Sequence, residues 1–145
     1  MTIEERNMSP EITEDWIRAC LREGESAELT VMGSCMKPAL IEGDKVTLSD
    51  LLRPVRIGDI VLIRTPAGLR LHRVLIRHGE TVRTKGDHGI YLDPPTPRSR
   101  VVARCLVAEP LGTRALRTFL SLLRLGQRAW PRRPAGDEAH ARLLP

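Results

Sequence analysis

A thiol, an imidazole and two carboxylates stand at Cys35, His72, Asp87 and Asp93, in three short segments of the chain. The segments are Gly33-Ser34-Cys35-Met36-Lys37-Pro38, Leu71-His72-Arg73-Val74 and the run from Lys85-Gly86-Asp87-His88 to Asp93. These residue types suit nucleophilic acyl transfer. A thiol becomes a strong nucleophile once deprotonated, and an imidazole, with an ordinary pKa near 6.5, can take that proton at neutral pH. A carboxylate orients the ring and stabilises its protonated form, a role open to either aspartate. Gly-Asp is equally ordinary turn chemistry. Ser34 competes with Cys35 as attacking group, but adjacent side chains on an extended backbone point to opposite faces, so only one of them can serve. Cys35, His72, Asp87 and His88 include metal-ligating types without zinc-type spacing, so no metal and no other cofactor is expected. His78 falls in an expected turn.

Positioning such groups requires a rigid frame, and the pattern between residues 28 and 109 supplies one. Short apolar runs at Glu28–Met32, Lys45–Ser49, Asp59–Arg64, Leu69–Arg77, Thr81–Thr84 and Arg100–Glu109 are separated by Gly, Pro and Asp. They predict a mainly β, compact, largely antiparallel domain. Thr65-Pro66-Ala67-Gly68 and His78-Gly79-Glu80 read as hairpin turns, and Gly43-Asp44 and Gly58-Asp59 as chain reversals. Asp93-Pro94-Pro95-Thr96-Pro97 reads as a rigid loop, because proline has no N–H for a ladder.

Two helices flank the strands. Ser9-Pro10 is a start signal, Ile12, Trp16, Ile17, Cys20 and Leu21 recur at helical spacing, and Gly24 is a stop. From Thr113 to Trp130, Arg114, Arg117, Arg124 and Arg128 share one face of a second helix, and Leu116, Phe119, Leu120, Leu123 and Trp130 the other. Packing onto the β domain is the first expectation for this basic amphipathic helix, and peripheral contact with anionic membrane the second. The domain plan is thus a helical segment (1–27), a β domain (28–110), a basic amphipathic helix (111–130) and a disordered tail (131–145) rich in Pro, Arg, Ala and Gly.

Composition narrows the class. The chain has 145 residues, 3% aromatics and a net charge of +5, with arginine far outnumbering Lys37, Lys45 and Lys85. One domain with an aliphatic core is implied. Much of the basic excess follows residue 97, which fits a membrane surface or an acidic partner as well as DNA. Residues 1–10 are polar, and no run approaches the roughly 18 apolar residues of a membrane span, so the cytoplasm is the expected compartment. Cys20, Cys35 and Cys105 are widely spaced, which argues against a disulfide framework.

Taken in order, the motifs resemble the catalytic domain of the type I signal peptidases and LexA-like self-cleaving peptidases, over about residues 28–109. The likeness is nearest to the archaeal and endoplasmic-reticulum branch, which uses histidine where most bacterial enzymes use lysine. The resemblance places Cys35 where the family has its nucleophilic serine, followed by Met36 and Pro38. His72 takes the place of the general base and is likewise followed by Arg-Val. In the KGD element, Asp93 would contact His72 while Asp87 supports the loop. Family members often carry a hydroxyl two residues before the nucleophile to bind the oxyanion. Here Gly33 stands there, which leaves the Cys35 N–H as the main donor, with Ser34 in the register beside it.

The function implied is a soluble endopeptidase that processes a leader or other precursor peptide through a cysteine nucleophile and a histidine base. Two alternatives fit the same motifs. One is a catalytically degenerate relative that binds a peptide by strand addition. The other is a LexA-like self-cleaving regulator, although the residues before Glu28 offer only one helix, too little for a helix-turn-helix, so nucleic acid is not an expected partner.

Overall fold

The computed structural model describes residues 10–126 except 108 and 110. The β domain is a seven-stranded sheet, all of whose pairings are antiparallel. Its strands are β1 (Ala27–Thr30), β2 (Lys45–Ser49), β3 (Ile60–Thr65), β4 (Gly68–His78), β5 (Thr81–Lys85), β6 (Thr96–Pro97) and β7 (Val101–Leu106). They lie in the order β1-β2-β7-β3-β4-β5-β6, so the last long strand is inserted at the centre. Helix α1 (Pro10–Arg22) precedes β1 and α2 (Leu111–Gly126) follows β7.

Turn chemistry sets the register of β3 on β4. Pro66 and Ala67 form a two-residue connection, with Thr65 paired to Gly68. The Thr65 hydroxyl donates to the Gly68 carbonyl at 2.8 Å, and Gly68 has φ +110. That register places His72 opposite Val61 and Arg73 opposite Ile60. Neighbouring residues of β3 feed two apolar clusters. Ile60 and Leu62 join a cluster with Ile17 and Leu21 of α1, Leu48, Ala103 and Met36. Val61 and Ile63 join Val55, Val74, Val82 and Val101 on the opposite face, as a period of two requires.

Several expected boundaries move. β1 stops at Thr30 and β7 at Leu106. Thr96 and Pro97 leave the proline-rich loop to form a short strand on β5. Proline is tolerated there because β6 is the edge of the sheet, where an absent N–H leaves no ladder bond broken. Helix α1 begins at Pro10 and is followed by Gly24 at φ +77. The proposed Ser9 cap, Arg128, Trp130 and the tail from 131 lie outside the described residues.

Helix α2 packs onto the β domain, as first expected, and the face it uses is the polar one. Its polar stripe faces the β domain: Arg114 bonds Asp59, Arg117 bonds Glu109 at 2.8 Å, and Ser121 is buried. Gly58, at φ +89, makes the seat for this helix, since a Cβ there would lie 3.1 Å from both Arg114 and Thr118. The apolar stripe, Leu116, Phe119, Leu120 and Leu123, is exposed. Periodicity located both stripes without saying which of them faces inward. Buried carboxylates on the sheet need cationic partners, and their demand decides which face turns inward.

Candidate active site

Cys35 sits on a turn between β1 and β2 rather than on extended backbone, with Gly33 at φ +79. The turn is anchored on both sides of the thiol. Met36 is 1% exposed and packs among Leu40, Leu62 and Leu71 in the core, while Ser34, Lys37 and Pro38 are exposed. From the other side, the His88 N–H donates to the Cys35 carbonyl at 2.9 Å. Gly86 lies so close beneath it that a Cβ there would approach the same carbonyl oxygen to 2.6 Å. A glycine is therefore required at 86 for the two loops to meet as they do.

The thiol remains exposed above a buried His72. Its sulfur lies 3.9 Å from the Leu71 carbonyl and near enough to the His72 ring for the two to shift each other's pKa. The opposite ring nitrogen, Nδ1, meets Asp93 Oδ2 at 2.5 Å, and the buried Thr84 hydroxyl donates to that same oxygen at 2.6 Å. Bonds thus join His72, Asp93 and Thr84, and the Cys35 thiol stands beside the ring. The bond from Nδ1 fixes the ring so that Nε2 is the nitrogen left for sulfur.

Each link shifts the next in the direction its charge dictates. Interaction with the His72 ring lowers the Cys35 pKa against the effect of burial, with help from the Cys35 N–H and the Arg70 guanidinium. Burial alone would lower the His72 pKa, but the bond to Asp93 and the interaction with Cys35 outweigh it and raise the value to about 9. Burial works against ionised Asp93, and the bonds from His72 and Thr84 still hold its pKa below the ordinary value. The two shifts are mutual: a protonated His72 favours the Cys35 thiolate, and the thiolate favours the imidazolium, so the pair shares its titrations. An imidazolium in that position is a ready proton donor.

Asp87 is placed elsewhere. It receives a bidentate pair of bonds from Arg73, Nε to Oδ1 and Nη2 to Oδ2, both 2.8 Å. Arg73 is 0% exposed and also donates to Gly58 O at 3.0 Å and Glu109 at 3.1 Å. Asp87 thus supports the loop that holds Cys35, and Asp93 alone of the two aspartates reaches the ring. Ser34 lies outside the line of bonded groups. His78 and His88 are exposed, and no group of three or more His, Cys, Asp or Glu side chains among the described residues could hold a metal ion. Cys105 is buried, which pushes its thiol up to about 12, whereas Cys20 is half-buried.

A cavity of about 500 Å³ opens beside the thiol. Its apolar wall includes Leu29, Val31, Met36, Leu62, Leu69 and Leu71, and Cys35 and His72 stand at its rim. Arg70 also lines it. Sequence reasoning missed both Arg70 and Thr84. Arg70 was reachable, being two residues before His72 on a strand of period two. Thr84 carried no signal, because only the fold of the 86–93 loop brings Asp93 back over β5, where its N–H bonds the Thr84 carbonyl at 2.8 Å. No family model, curated protein or solved structure matches the chain.

Proposed function

We propose that the protein is a cysteine-nucleophile endopeptidase acting on a peptide or precursor, of the kind its motifs resemble among signal peptidases and LexA-like enzymes. The observation that carries this reading is the exposed Cys35 thiol beside His72, whose ring is bonded to Asp93 and through it to Thr84, with an apolar cavity alongside. The Cys35 thiolate attacks the scissile carbonyl carbon, forming a C–S bond and a tetrahedral oxyanion. The Cys35 N–H donates to no backbone acceptor among the described residues and is the candidate donor to that oxyanion. Collapse breaks the C–N bond, and His72 Nε2 gives its proton to the departing amine. Neutral His72 then takes a proton from water, whose oxygen attacks the thioester to release the acid and restore the thiolate–imidazolium pair. His72 therefore acts first as acid and then as base, an order set by its raised pKa.

The cavity suits an aliphatic side chain next to the scissile bond, and β1, which leads toward Cys35, is an edge strand open to an added peptide strand. That free edge also favours a second reading, a peptide-binding protein without turnover. Alkylation kinetics test the first. Iodoacetamide should modify Cys35 rapidly well below pH 8, in a protein with Cys20 replaced by Ala, since buried Cys105 will not compete. His72→Ala should lower the rate at pH 7 by about ten- to thirtyfold, as the thiol returns toward its ordinary pKa of about 8.5. An unshifted profile, identical in both proteins, would leave the binding reading.

A further inference from the structure

The five large apolar side chains exposed on α2, Leu116, Phe119, Leu120, Leu122 and Leu123, are each between 40% and 57% accessible. Four of them, at 116, 119, 120 and 123, form a continuous stripe of period three and four along the outer face. The helix cannot roll to bury this stripe without breaking its inner contacts. Arg114 is bound to Asp59, Arg117 to Glu109 and Arg124 to the Asp87 carbonyl, while Lys85 reaches Ser121 at 3.4 Å. A surface helix of a globular domain ordinarily hides its apolar side, and this one is fixed with that side outward.

Charge selects the occupant. Between residues 111 and 136 the sequence contains six arginines, Arg114, Arg117, Arg124, Arg128, Arg132 and Arg133, and no aspartate or glutamate. The three in α2 have their acceptors in the β domain. Arg128, Arg132 and Arg133 follow in the sequence around Trp130. A second copy docked through the same helix would bring this basic segment against itself. A surface that offers hydrocarbon at one depth and negative charge at the next satisfies both halves of the segment.

We propose that α2 is an interfacial anchor, whose Leu116–Leu123 stripe inserts among the acyl chains of an anionic lipid surface. This inference is independent of the peptidase reading, because no lipid contact requires the thiol. The mode differs from the one expected of a basic helix face, since the arginines of α2 itself are spent on the fold. The chemistry sought in the partner is a phosphatidylglycerol- or phosphatidylserine-like membrane.

Vesicle co-sedimentation of the full chain tests it, with pure phosphatidylcholine vesicles set against vesicles containing phosphatidylglycerol. Binding to the anionic vesicles, weakened by about tenfold or more in Phe119→Glu/Leu123→Glu and lowered by added salt, is expected. Both positions are exposed, so unfolding transitions should match the parent, and Phe119→Ser/Leu123→Ser provides a second, uncharged pair. Replacing Arg128, Arg132 and Arg133 by Gln should weaken binding to the anionic vesicles. Failure to sediment with either vesicle would overturn the proposal. So would binding indifferent to the apolar substitutions, or a dimer in light scattering that dissociates in Phe119→Glu/Leu123→Glu without any vesicle binding.

Discussion

His72 and Arg73 are consecutive on β4, yet they belong to opposite kinds of polar network. Arg73 is wholly enclosed and matched to two carboxylates, Asp87 and Glu109, with Arg117 bound to the second. His72 is tied to one carboxylate behind it and ends at an exposed thiol in front. The first network is closed: its donors meet acceptors on every side, and it holds the 86–88 loop and α2 against the sheet. The second is open at one end. A closed network resists change, whereas an open one keeps a group able to react, so saturation of partners, more than the mere presence of charged residues, separates framework from candidate chemistry.

Arg73→Ala is the hardest blow to this contrast. It leaves Asp87 and Glu109 buried without their main partner, and should cost about 3–5 kcal/mol in urea unfolding. A loss below about 1 kcal/mol would show that the closed network contributes little. Asp93→Asn comes next, removing a charged hydrogen bond worth about 1.5–3 kcal/mol. Without that carboxylate the alkaline limb of His72 titration, near pH 9 in the parent, should move toward neutral pH in an imidazole NMR titration. The parent's pH dependence carries the same sign. Stabilisation by raised His72 is complete below about pH 6.5 and fades as pH rises through about 9, while that of depressed Asp93 is complete above about pH 4 and fades in acid.

Gly86→Ala probes the point where the two networks touch. Its Cβ must displace the Cys35 carbonyl, so about 1–3 kcal/mol of stability should be lost together with fast thiol alkylation. Retention of rapid alkylation would mean that the thiol is positioned without this loop. The mildest change is Thr84→Val, which keeps shape and removes the hydroxyl on Asp93. About 1 kcal/mol in unfolding, with a small downward drift of the His72 titration, is the expected outcome.

The frame was legible because its signals are local. Hairpin glycines, alternating apolar residues and proline breaks place most strands within two or three residues, and the motif order brought Cys35, His72, Asp87 and Asp93 into view. What escaped depends on partners distant in sequence. Nothing local distinguishes an aspartate that meets an arginine from one that meets an imidazole, since the choice follows the path of residues 86–93 over β5. Nor does the stripe pattern of α2 say which stripe is inside. Asp59, Asp87 and Glu109 settle that, and they come from three separate segments. Thr96 and Pro97 escaped because proline breaks interior strands, and only the finished sheet order shows that this position is an edge.

Residues 86–88 span only about 7 Å of backbone and touch three different parts of the molecule. Gly86 lies on the Cys35 carbonyl, Asp87 clasps Arg73 through its side chain and α2 through its own carbonyl, and His88 holds Cys35 by its N–H. Such a triplet is a junction centred on Arg73. A substitution anywhere in the triplet therefore bears on the helix, the buried arginine and the thiol-bearing turn together.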